Sequence, residues 1–251
     1  MWKRLRIAIL LLILASVALD AARAHRHATD WTDTLHVALY PINADGSAEA
    51  ARAIAALDSE SFAGIDAFYA TEAQRYGRST LRPVHVTLQP PLMTQPPPAP
   101  VAANALEAML WSLRLRFWAW RQPAAVPRAD VRLYALYWGA GKVQVPASHG
   151  LRQGQIGVIH LFAQADMARG NSVVLAHELA HTLGATDKYD LATLQPIFPA
   201  GYAEPEKGLP QSLCELMAGR TPVGADRAEQ PDSLARCRLG PQSAREIGLL
   251  R

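Results

Sequence analysis

The sequence predicts a layered domain that mixes sheet and helix, in an α/β or α+β arrangement. Three observations carry this. Segments with strand patterning alternate with segments at helical spacing along most of the chain. Half of the 251 residues are apolar and 19% are charged, which excludes a disordered chain. No break in composition demands two folded units, and this length supports a sizeable core.

The chain opens on what reads as an address. Trp2 to Arg6 is positive, Ile7 to Leu19 is a 13-residue apolar run, and Ala22-Arg23-Ala24 puts small residues where a signal peptidase reads. The run is shorter than the roughly 20 residues a helix needs to span a bilayer. The expectation is a signal peptide over 1–24 and a secreted or periplasmic chain from His25, with an uncleaved anchor as the alternative. Lys3, Arg4, Arg6, Arg23 and Asp20 all lie in that segment, so the remainder holds 21 positive and 21 negative residues. A folded part with no basic excess argues against nucleic acid as a partner.

Leu35 to Tyr40 reads as a strand, stopped by Pro41 and the turn cluster Asn43-Ala44-Asp45-Gly46. Ser47 to Leu57 and Ser59 to Tyr76 read as helices, the second with Phe62, Ile65, Phe68 and Tyr69 at helical spacing and Gly77 as its stop. Val84 to Leu88 is a short strand. Six prolines between Pro90 and Pro100 predict an irregular loop. Asn104 to Arg121 predicts a helix whose Leu106, Leu110, Leu113 and Phe117 stripe packs on the sheet while its arginines face water. The other reading of that helix is a membrane-surface element. Val131 to Trp138 and Ile156 to Phe162 are strands, with a short edge strand expected around Val143 to Val145. Ser172 to Leu183 is a helix. The rest is mostly loop until Gln242 to Leu250, a short helix behind Pro241. This divides a single domain of residues 25–251 into an upper part, 25–184, and a loop-rich lower part, 185–251. Cys214 and Cys237, the two cysteines, are expected to staple the lower part as a disulfide, in keeping with an oxidising compartment.

Chemistry concentrates in His177-Glu178-Leu179-Ala180-His181. Positions four apart on a helix share one face, one turn apart. Two imidazoles so placed can hold one Zn2+, and Glu178 projects beside the metal as a general base. Gly184 follows where a helix must turn away, and the turn can return Asp187 under the metal as a third ligand. Three protein ligands leave a fourth position open, the mark of a catalytic site. Asp190, Glu204, Glu206 and Glu215 are the alternatives for the third position. His149 reads as a surface or cleft residue, and His160 as a hydrogen-bonded sheet residue. His25-Arg26-His27 could chelate Cu2+ or Ni2+ at a free N-terminus.

The segment His177 to Asp187 resembles the extended zinc motif of the metzincin metallopeptidases, with Asp as third ligand as in the snapalysin-type branch. Leu213 to Gly219 is similar to the methionine turn those enzymes place below the zinc, with Met217 as its methionine. The resemblance implies an α+β zincin or metzincin-like catalytic domain, with a mixed twisted sheet and a loop-rich C-terminal subdomain that carries the methionine turn. It implies a zinc-dependent peptidase with Glu178 as catalytic base and His177, His181 and Asp187 as metal ligands. Where some metzincins carry a tyrosine two residues after the methionine, this chain has Gly219, so an oxyanion-stabilising tyrosine would be Tyr189 or Tyr202. The expected substrate is a peptide or protein. The expected state is a monomer with no stable membrane association after signal cleavage. Two other functions share the site: a non-proteolytic zinc-binding envelope protein and a hydrolase of peptidoglycan cross-links.

Overall fold

The structure is a computed structural model that describes residues 26–100, 104–141, 145–151 and 155–250, together with positions 2, 6, 19 and 22–24. Most of the leader, His25, Val143 and Gln144 therefore lie outside the described residues, as does the core of the predicted 143–145 strand. No helix among the described residues is long and apolar enough to cross a membrane.

Five strands form the main sheet: β1 (Leu35–Asn43), β2 (Val84–Leu88), β3 (Val131–Trp138), β4 (His149–Leu151) and β5 (Ile156–Phe162). Their order is β2-β1-β3-β5-β4. β1, β2, β3 and β5 run parallel, and β4 closes one edge antiparallel to β5. The architecture is thus a mixed sheet with helices, compatible with the α+β class.

β1 runs past Pro41, where the sequence predicts an end. Pro41 pairs with Ala135 of β3, while β2 has already stopped at Leu88, opposite Leu39. The Pro41 carbonyl instead accepts from Leu92. The proline lies beyond the last regular β1–β2 pair, where the partner is no longer a strand but a loop that bridges to β1 at Leu92, so no ladder N–H is lost.

Side chains of a strand alternate between faces. Val37, Leu39, Leu133, Ala135, Ile159 and Leu161 enter one core. Ala38, Tyr40, Ile42, Tyr134, Leu136 and Val158 enter the other. Both faces are covered, which is why these strands read as apolar runs rather than alternating ones. The first core is shared with α1 (Ala48–Ala55), α2 (Ala63–Arg75) and α4 (Ala168–Leu183). The second is covered by α3 (Ala105–Trp120), opened by an Asn104–Glu107 capping box.

Here the structure corrects the sequence reading. α3 docks through Leu115 and Ala119, with Trp111 and Trp118 beside them. Leu106, Leu110, Leu113 and Phe117 point to solvent. α3 is apolar on both faces, and the face that carries Leu115 and Ala119 flanked by Trp111 and Trp118 is the one that packs on the sheet.

The lower part is built of short ladders and turns. β6 (Cys214–Glu215) pairs with β9 (Cys237–Arg238), and β7 (Thr221–Gly224) with β8 (Arg227–Glu229). Cys214 and Cys237 stand directly opposite one another. Both are buried free thiols here, not a disulfide. Their mutual hydrogen bond, then burial, push the Cys214 thiol well up. The last helix among the described residues is α5 (Pro241–Glu246), which begins with proline at its first position and stops short of the predicted Leu250, the chain turning away at Gly248 with φ = 78°.

Candidate metal centre

α4 is fixed at both ends before it presents any chemistry. In its first turn the buried Asn171 bonds both the N–H and the C=O of Phe162, the last residue of β5. In its middle, the Tyr69 hydroxyl donates to the Ala176 carbonyl at 2.8 Å. At its end Gly184 takes φ = 116°, a region that favours glycine. The N–H groups of Gly184 and Ala185 both reach the Ala180 carbonyl. That left-handed cap reverses the chain and brings Asp187 back to the helix.

The result is a convergence of three ligand atoms. His177 Nε2 and His181 Nε2 are 3.0 Å apart. Asp187 Oδ1 lies 3.2 Å from the first and 3.1 Å from the second. These three residues form a group able to hold a metal ion among the described residues. Ligands at about 2.0–2.1 Å around a tetrahedral ion stand roughly 3.3 Å from one another, so the spacing suits a small cation.

The far side of each ring decides what the near side can be. His177 Nδ1 lies 2.9 Å from the Leu216 carbonyl, and His181 Nδ1 lies 2.8 Å from the Ala185 carbonyl. A carbonyl only accepts, so each Nδ1 carries the proton and donates. In the neutral rings both Nε2 atoms are then bare lone pairs, aimed at each other and at a carboxylate. Three acceptors within 3.2 Å repel unless a cation or a proton sits among them. Without a metal, protons take that role. Burial lowers the basicity of His177, but its bond to Asp187 and the Glu178 charge outweigh it and raise the net value. Burial raises Asp187 in turn, yet the two histidines hold it well below the usual carboxylate range.

Glu178 is buried beside this trio and shares a cavity of about 330 Å³ with His177, Ser148, Tyr189, Arg220 and Gln230. Its Oε2 has no hydrogen-bond partner. Burial raises its proton affinity, against the pull of His177 and His181. A buried carboxylate that lines a cavity and has an oxygen without a hydrogen-bond partner is fit to accept a proton from something bound there.

The turn Leu216–Ala218 lies against the site from both sides. Its Leu216 carbonyl orients His177, and its Met217 carbonyl accepts from the Lys188 N–H, next to Asp187. Met217 itself is wholly buried in the core below α4.

The loop carrying Asp187 is clamped a second time. The Lys188 ammonium, 3% exposed, bonds the Thr186 carbonyl, the Thr186 hydroxyl and Glu246 Oε2. Glu246 also accepts from the Thr186 N–H. The third ligand is therefore held between two residues tied to α5.

No protein-family model matches the chain, and no curated protein matches it by sequence. The site is read from its own geometry.

The alternative third ligands are accounted for elsewhere. Asp190 Oδ1 caps its own turn, accepting from the N–H groups of Ala192 and Thr193. Glu215 is fully buried and accepts from Ala218 and Gly240. Glu204 pairs with Lys207, and Glu206 sits in the adjacent short helical turn. Tyr189 lines the cavity, where burial and then the charges of Asp187 and Glu178 push its phenol up. Tyr202 instead packs edge-on against Phe198. His149 meets Trp111 edge-on on the far face of the sheet, and His160 Nδ1 accepts from Trp138 Nε1. Burial and then His149 bring His160 down to about 4. Arg220, like Ser148 and Gln230, is a cavity residue that sequence reasoning did not single out. Its position one step after Gly219, at the end of the methionine turn, was the available signal.

Gly150 sets how close the sheet comes to the site. A Cβ there would stand 2.5 Å from His181 Cβ and 2.9 Å from the Glu178 carbonyl. Only a glycine lets β4 lie directly on the helix turn that carries the ligands.

Proposed function

We propose that the protein is a secreted or periplasmic zinc-dependent endopeptidase. One observation carries the reading: three ligand atoms, two of them bare imidazole nitrogens, converge beside a buried carboxylate that has no partner of its own. His177, His181 and Asp187 would hold the metal. Zinc in a three-ligand set supplies Lewis acidity and lowers the pKa of water to about 7.

The chain's own residues supply the rest. The Glu178 carboxylate takes a proton from the attacking water and passes it to the leaving amine nitrogen. Leu216 and Ala185 hold both rings in the tautomer that leaves Nε2 bare. Tyr189 and Arg220 line the same cavity, and in this reading they would meet the negative charge that develops on the carbonyl oxygen. β4 bears no strand on its outer side among the described residues, so an extended peptide can add to that edge and lie across the site. In the oxidising compartment this reading requires, the opposed Cys214 and Cys237 would close a disulfide.

The test is cleavage of a mixed peptide library by the zinc-loaded protein beside Glu178→Gln. The wild type should cleave. The variant should bind zinc equally and lose about 10²–10⁴-fold in rate. Zinc bound without cleavage by either protein overturns the peptidase reading and leaves a zinc-binding protein or a hydrolase of peptidoglycan cross-links.

A further inference from the structure

The outer face of α3 lies apart from the metal centre and packs against no other element among the described residues. At 100° per residue, Leu106, Met109, Leu110, Leu113, Phe117 and Trp120 fall within one stripe about 100° wide. All six are exposed, Phe117 to 59% and Trp120 to 76%. The opposite side of the helix is fixed on the sheet by Leu115 and Ala119. The stripe therefore cannot turn inward without undocking the helix. Met93, 96% exposed, extends the apolar surface at the same end, where its neighbour Thr94 bonds Gln122 just past α3.

The flanks of the stripe are cationic. The same wheel puts Arg114 and Arg121 on one side and Arg116 on the other, with Glu107 spent on the N-terminal cap. The Arg121 guanidinium lies 6.0 Å from the Phe117 ring centroid, so its stem follows the stripe while its charge stands at the rim.

We propose that this face of α3 is a docking surface for an anionic phospholipid bilayer. Apolar side chains in the centre with arginines on both flanks is the profile of a helix lying in the headgroup region. The area favours this occupant over a second copy. A strip about 21 Å long and 10 Å wide offers a few hundred Å², against the roughly 800 Å² each partner buries in a stable protein interface. The charges favour it too. A second copy sets arginine-flanked rims together, whereas anionic headgroups neutralise them. α3 and α4 cover opposite faces of the sheet, so a chain docked through α3 keeps its metal centre facing away from the bilayer. The proposal departs from the sequence-based expectation of no stable membrane association and takes up the membrane-surface reading of this helix instead. The proposal does not depend on the peptidase reading.

The experiment is co-sedimentation of the full chain with vesicles of 3:7 phosphatidylglycerol and phosphatidylcholine, and with phosphatidylcholine alone. The comparison protein carries Leu110→Gln, Leu113→Gln and Phe117→Gln. Both proteins have the same N-terminal segment, so its contribution cancels in the ratio. The three side chains are exposed, and equal melting temperatures confirm that the variant folds. The wild type should partition at least tenfold more strongly than the variant onto anionic vesicles, and should prefer them to neutral ones. Brominated lipid should quench a component of tryptophan fluorescence that Trp120→Phe removes. Equal partitioning of the two proteins overturns the proposal, as does failure of the wild type to bind. A wild-type dimer that the triple variant turns into monomer overturns it in favour of a second copy.

Discussion

At the residue scale the centre is defined by what each ligand does with its second polar atom. His177 and His181 each use Nδ1 on a backbone carbonyl, which leaves Nε2 for a cation. Asp187 and Asp190 have the same side chain three residues apart, yet only Asp187 faces the rings. Asp187→Ala should therefore weaken zinc binding by at least about 100-fold, beyond the 10–100-fold typical of an outer partner. Asp190→Ala should change it by less than about threefold. Competition titration with a zinc indicator separates the two, and equal losses would show that the ligand has been misassigned. The motif was legible at this scale because its geometry is local: i and i+4 on one helix, then a glycine cap. The carbonyls of Leu216 and Ala185 were not, because a backbone oxygen leaves no mark in a sequence. Arg220 was missed for a related reason, since its reach into the cavity depends on how the methionine turn docks.

Elements position what residues supply. β4 lies on α4 through Gly150, and this closeness is steric. Gly150→Ala should cost about 1–3 kcal/mol as strand and helix are forced apart. Chemical denaturation checks this, and a neutral result would mean that the edge strand is free to shift. α5 acts on the Asp187 loop through Glu246. Burial raises the Glu246 carboxyl, but its bonds to Lys188 and Thr186 outweigh that and hold it below the ordinary value. A depressed carboxyl contributes stability above its unfolded pKa of about 4.3, and loses it as pH falls through the folded value. Glu246→Gln should thus cost about 2 kcal/mol at pH 7, by leaving the buried Lys188 ammonium without its counter-charge. The difference from wild type should shrink as pH falls below the unfolded value of about 4.3 and through the lower folded one. Melting curves across that range test it, and a gap that widens in acid would refute the clamp. Element boundaries were largely legible, with β2, β3 and β5 falling where their patterns put them. The facing of α3 was not. A helix apolar on two sides carries two stripes, and periodicity cannot say which one the sheet will take.

Over the whole molecule the site joins segments that have little else in common. α4 gives two ligands, the following loop gives the third, the methionine turn orients one ring, and α5 holds the loop. Any ion that binds this set and not the unfolded chain stabilises the entire fold by mass action. Zinc at 100 times its Kd should add about 2.7 kcal/mol. That is roughly 5–10 °C in melting temperature for a domain of this size. A chelator should return the protein to the starting value. A melting temperature indifferent to both would mean that the three side chains hold protons and no metal. The sheet order was beyond the reach of the sequence, because pairing of β1 with β3 joins residues about ninety positions apart. The cysteines show the same limit from the other side. Their number suggested a covalent staple, while their opposition across β6 and β9 is a fact of tertiary structure.

The Lys188–Glu246 pair also orders events in time. The partners are 58 residues apart, and a chain is made from its N-terminus. A growing chain that has emerged beyond Asp187 already holds all three ligands and the glycine cap, but not the second clamp on their loop. Synthesis must pass Glu246 before the lysine finds its carboxylate. The clamp on the Asp187 loop can therefore close only once Glu246 has been made.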